Sequence, residues 1–78
     1  PNPFNPSTTI EFALPVSEHV TLAVFDITGK RVATLLAEPV NAGLHRYNWS
    51  AKNLPSGAYF YRLQTQNFSQ IRKLMLVK

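Results

Sequence analysis

Seventy-eight residues leave room for one small domain and no second one, and 45% apolar content is enough to build a core. Eight Lys and Arg against four Asp and Glu give a net charge of +4, a balance that suits nucleic acid, an anionic polysaccharide or a membrane surface. Cysteine is absent, which excludes disulfides, thiolate metal sites and cysteine nucleophiles.

Prolines and glycines cut the chain into segments too short for a comfortable amphipathic helix. Pro1, Pro3 and Pro6 stand almost alternately, so residues 1–6 form a stiff, extended, proline-rich lead-in suited to a linker or a sheet edge. Thr8 to Leu14 alternates, with Ile10, Phe12 and Leu14 on one face and Glu11 on the other. Val20 to Val24 repeats the pattern with Val20, Leu22 and Val24 inward. Asp26 to Lys30 carries turn chemistry, with Gly29 free to take positive φ, and joins the second strand to a third over Arg31 to Leu36. Ala37 to Ala42, holding Glu38-Pro39, is a looser connection.

Gly43 opens a fourth strand, Leu44 to Ser50, with His45, Tyr47 and Trp49 sharing a face. Lys52 to Gly57 is a turn, and Ala58 to Thr65 is the most β-prone stretch, alternating Tyr59, Tyr61 and Leu63 with Phe60, Arg62 and Gln64. With Tyr59 and Tyr61 in the core, Phe60 faces outward. Gln66 to Phe68 turns the chain into a last strand, Ser69 to Val77. The spacing predicts an all-β fold, an antiparallel immunoglobulin-like β-sandwich of six to seven short strands without a disulfide. Trp49 and Tyr59 are the expected centre of its core.

Catalytic chemistry is thinly represented. His19 and His45 are the only imidazoles; Ser50, His45 and Asp26 make a triad on paper alone, because no nucleophile-elbow turn activates the serine. His45 with Glu38 or Asp26 falls short of a metal site, and the three solitary glycines form no phosphate loop. No catalytic residue, metal or cofactor is expected. The basic residues are scattered, with only Lys30-Arg31 and Arg72-Lys73 adjacent, so no nucleic-acid partner is expected either. No apolar run approaches the ~20 residues of a spanning helix, and no membrane insertion is expected. The chain starts at Pro1 rather than Met and reads as a fragment of a larger protein.

The last segment, Arg72-Lys73-Leu74-Met75-Leu76-Val77-Lys78, is an apolar strand bracketed by positive charge. It reads either as a lysine-guarded edge strand or as a core strand. An edge strand can add to a partner's sheet through main-chain hydrogen bonds, or pair with a second copy to form a dimer.

Five motifs in order carry a resemblance to a known family: Pro1-Asn2-Pro3-Phe4-Asn5-Pro6; Leu22-Ala23-Val24-Phe25-Asp26-Ile27-Thr28-Gly29-Lys30-Arg31-Val32; Gly43 through Trp49; Leu54-Pro55-Ser56-Gly57-Ala58-Tyr59-Phe60-Tyr61-Arg62-Leu63; and Arg72 through Lys78. Together they resemble the type A C-terminal sorting domain of cargo exported by the type IX secretion system of Bacteroidetes-like, Gram-negative bacteria. The immunoglobulin-like domain of flagellar hook-capping proteins is also similar. The resemblance implies a signal, not an enzyme. It implies a single domain over residues 1–78 at the C-terminus of a larger secreted protein, recognised by the outer-membrane type IX secretion machinery.

The resemblance further implies passage through the periplasm to the cell surface or the medium, with removal by a sortase-like surface peptidase cutting upstream of the domain or near its start. The family's opening motif falls on Pro1, Asn2 and Pro3, followed here by Phe4 and Asn5. Its glycine-aromatic strand falls on Gly57, Tyr59 and Tyr61, where a folding role is expected. Its terminal strand falls on Lys73, Leu74, Met75, Leu76, Val77 and Lys78, the recognition candidates. Two other readings stand beside it: an accessory polysaccharide-binding sandwich of a surface glycoside hydrolase, which needs a row of exposed aromatics, and a structural spacer, which needs neither feature.

Overall fold

An alternating strand has one apolar face, and it is stable only when that face meets another sheet. The computed structural model of the chain describes residues 7–77 and shows this arrangement. Six antiparallel strands follow one another: β1 (Ser7–Leu14), β2 (Glu18–Asp26), β3 (Arg31–Val40), β4 (Gly43–Ser50), β5 (Gly57–Gln64) and β6 (Ser69–Leu76). They form a two-stranded sheet, β1-β4, and a four-stranded sheet in the order β3-β2-β5-β6. The expected all-β sandwich is therefore present, with six strands and no helix among the described residues.

The core follows the period-two pattern. Val20, Leu22 and Val24 of β2 are fully buried, and burying each such side chain contributes about 1.5–3 kcal/mol. Val20 and Leu22 cluster with Ile10, Phe12 and Leu14 of β1, and Val24 clusters with Trp49, Tyr59 and Leu76. Trp49 and Tyr59 are both buried as expected, yet the deepest positions belong to β2 because it is an interior strand of the larger sheet. In the small sheet, Phe12 stands opposite His45 and their rings stack at 5.4 Å.

Two strands are too narrow to cover four. The connection after β4 supplies Ala51, buried at 3%, and Leu54, while Phe68 closes the other cluster. The β2–β3 hairpin turns within the expected Asp26 to Lys30 segment: Gly29 N–H donates to Asp26 C=O, Asp26 N–H to Lys30 C=O, and Gly29 takes φ of 87°.

The chief departure from the sequence reading concerns β3. Ala37 to Val40, expected as a loose connection, continues the strand, with Pro39 opposite His19 and Val40 opposite Glu18. β3 is an edge strand, where a proline's missing N–H goes unmissed. Register shifts between Leu22 and Ala23, and between Val24 and Phe25, leave Leu35 and Val32 as extra residues on β3. Such bulges twist an edge away from further pairing. β2 likewise runs beyond Val20 to Val24 at both ends.

Candidate functional site

β6 is the second edge of the four-stranded sheet, paired on one side with β5 in unbroken register from Gly57 opposite Leu76 to Gln64 opposite Ser69. Its other side is unpaired within the described sheet. Alternation sends Leu74 and Leu76 inward, Leu76 to 4% exposure against Trp49 and Tyr59. Lys73 and Met75 point out, and Val77 follows exposed. β6 is thus both a core strand on one face and an edge strand along its length, so the two sequence readings coexist.

Gly57, Tyr59 and Tyr61 lie on β5, beside β6. Gly57 starts the strand at φ 154°, and Tyr59 packs against Val24, Trp49 and Leu76. Tyr61 is half-buried and touches both clusters. In the β5–β6 register Gly57 pairs with Leu76, Tyr59 with Leu74 and Tyr61 with Arg72. Pro1, Asn2, Pro3, Phe4, Asn5 and Lys78 lie outside the described residues.

His45 and Asp26 are engaged in local contacts. His45 stacks on Phe12 and its Nε2 donates to the Asn41 carbonyl at 2.6 Å. Asp26 Oδ1 accepts from Thr28 N–H, Thr28 Oγ1 and Lys30 N–H, all inside its own turn. The Thr28 hydroxyl is the main cause that lowers the Asp26 pKa from its ordinary 3.8. Glu38 and His45 do line one cleft between β3 and β4, but no group of three metal-ligating side chains gathers among the described residues.

Sequence reasoning missed the outer face of the four-stranded sheet. Phe60, expected to stand outward, is half-buried in an open groove lined by Phe25, Ile27, Arg62 and Ile71. The Arg62 guanidinium lies 4.9 Å from the centre of the Phe25 ring, and Arg31 lies 5.5 Å from it. The only signal in the sequence was alternation: Phe60 and Arg62 share a face, but which β2 residue they meet depends on register.

A family model described as a secretion system C-terminal sorting domain matches residues 1–78. No curated protein and no solved structure matches significantly. A match over the whole length settles the family. The chain belongs to the C-terminal sorting domains of the type IX secretion system, the signals by which that machinery recognises cargo for secretion across the outer membrane.

Proposed function

We propose that the machinery recognises this signal through β6, by pairing one of its own strands with the free edge. The observation that carries this reading is the position of Lys73 to Leu76 on an open sheet edge, with Leu74 and Leu76 anchoring the strand from inside. Main-chain hydrogen bonds along such an edge give affinity, while alternate outward side chains give specificity. The opposite edge, β3, is blunted by Pro39 and two bulges, which favours β6 as the docking edge. Gly57, Tyr59 and Tyr61 act by shaping and supporting that edge. The Pro1 to Asn5 motif serves as the lead-in that separates the signal from the cargo.

In this reading residues 1–78 are a single domain, carried at the C-terminus of a larger secreted protein of a Gram-negative, Bacteroidetes-like bacterium. A sortase-like surface peptidase removes it after export. The domain performs no catalysis itself. The same edge allows a second copy to pair, giving a dimer until the machinery competes for the strand.

The test extends the chain beyond Lys78 by a designed strand on an Asn-Gly turn that pairs with the free edge of β6. The fusion carries a signal-peptide-bearing fluorescent reporter in a bacterium with type IX secretion. A control extension of equal length, proline-rich and unable to pair, separates edge coverage from mere lengthening. The expected result is export with the control and retention of a folded, protease-resistant fusion with the paired strand. Equal export of both would show that the edge is not the recognition element.

A further inference from the structure

The outer face of the four-stranded sheet has the composition of a binding site. Register sets Phe25 opposite Phe60, Ala23 opposite Arg62, Arg62 opposite Ile71 and Phe60 opposite Lys73. Ala23, the residue opposite Arg62, is fully buried. The guanidinium lies over the Phe25 ring, with its Nε–H buried and without an acceptor among the described residues. Among the described residues no hydrogen bond or ion pair takes up Arg62.

The surroundings are apolar and exposed. Ile71 is 63% exposed, Met75 60% and Ile27 73%, an arrangement that water alone does not favour. Arg31 and Lys73 add positive charge on the same face, and neither has an ion-pair partner among the described residues. Among the described residues Asp26 is the one carboxylate lining the groove, and its Oδ1 is held by Thr28 and Lys30. The face is therefore cationic, aromatic and short of anions.

We propose that this groove binds a peptide segment of the export machinery that presents a carboxylate beside an aromatic or aliphatic side chain. Arg62 takes the carboxylate, and Phe25, Phe60 and Ile71 take the apolar neighbour. A guanidinium held over a ring is restricted in its motion, which favours paired hydrogen bonds to a planar carboxylate. An anionic membrane is the less suitable partner, because surface binding draws on clusters of four to eight basic residues and this face offers three. The groove borders β6, so one partner strand on the free edge can send its side chains into it. The proposal rests on the sorting reading above and adds the chemistry of the partner.

The test has two arms. In the first, the 78-residue chain is titrated with acetyl-Leu-Glu-Phe-Glu-Leu-amide, with its glutamine counterpart, and with phosphatidylcholine vesicles containing phosphatidylglycerol, followed by backbone amide NMR. The glutamate peptide is expected to move the Phe60, Arg62 and Ile71 amides, with roughly tenfold weaker binding for the glutamine peptide or for Arg62→Gln. Equal binding of both peptides, shifts elsewhere, or binding of vesicles alone would overturn the proposal.

In the second arm, reporter fusions carrying Arg62→Gln, Ile71→Asp or Lys73→Glu are compared for export with Leu44→Asp and Arg46→Gln on the other sheet. Ile71 and Lys73 are exposed, so these two variants keep the fold even where Arg62→Gln loosens it. Loss of export confined to the groove variants supports the proposal, and export equal to the controls defeats it. If the unmodified fusion is not exported, the sorting reading itself fails, and the peptide titration still judges the groove.

Discussion

The hydroxyl of Tyr59 donates a 2.7 Å hydrogen bond to the carbonyl oxygen of Pro55, four residues upstream. It ties the turn before β5 to a ring that sits in the core at 6% exposure. Immunoglobulin-like sandwiches use a similar tyrosine, whose hydroxyl reaches back to the nearby backbone at a corner between strands. The relationship explains why Leu54-Pro55-Ser56-Gly57-Ala58-Tyr59 acts as one unit. Tyr59→Phe keeps the ring and deletes the bond, and is expected to cost about 1 kcal/mol. In a domain of this size that lowers the thermal midpoint by about 4–8 °C. Tyr59→Ala also removes the ring and is expected to cost about 3–5 kcal/mol in urea unfolding. A Phe variant as stable as the parent would contradict the role given to the bond.

Gly57 illustrates a different constraint. A Cβ built there would meet nothing closer than the Tyr59 ring at 4.0 Å, so space is available. Its φ of 154° is the obstacle, since L-residues rarely adopt it. Gly57→Ala should therefore destabilise the domain by about 1–3 kcal/mol through backbone strain. D-alanine introduced at position 57 by chemical synthesis should restore most of that loss. Equal losses for both enantiomers would point to crowding instead.

Acid sensitivity should arise partly from Asp26. The Thr28 hydroxyl lowers its pKa, desolvation opposes the shift, and the Lys30 and Thr28 amides and the Lys30 charge add to it. A folded-state pKa below the ordinary 3.8 means that the unfolded chain binds the proton more readily. The stabilisation is therefore present above pH 3.8 and is lost as pH falls through the lowered folded value. Thermal midpoints measured down this range should fall less steeply for Asp26→Asn than for the parent. Parallel curves would remove Asp26 from the account.

The Glu11–Arg46 ion pair, at 2.8 Å, looks strong by distance but is 47% and 72% exposed on the outer face of the small sheet. Exposed pairs are worth about 0–1 kcal/mol, so Glu11→Gln should leave stability within that range and lose even that in high salt. A larger loss would mean that the small sheet depends on its surface charge.

What was legible in the sequence was local. Asp26, Thr28 and Gly29 determine their hairpin by side-chain and backbone hydrogen bonds within five residues, and the loop appears as expected. Period-two alternation likewise placed Ile10, Phe12, Leu14, Val20, Leu22 and Val24 in the core, and their size and central strands placed Trp49 and Tyr59 there. Sheet order is nonlocal and was not legible. Pro39 reads as a break unless β3 is known to be an edge, and Lys73 to Leu76 reads equally as core or edge until β5 is seen on one side only. The Arg62–Phe25 contact depends on the β2–β5 register, which no stretch of either strand encodes alone.

The most direct test of the central claim joins the 78 residues to the C-terminus of a signal-peptide-bearing fluorescent reporter. It is expressed in a bacterium with a working type IX system and in the same strain with that system disabled. Folding of the domain is verified by protease resistance in both. The account predicts reporter at the surface or in the medium of the first strain, and only in the periplasm of the second. A folded, intact fusion held in the periplasm of both strains would contradict it.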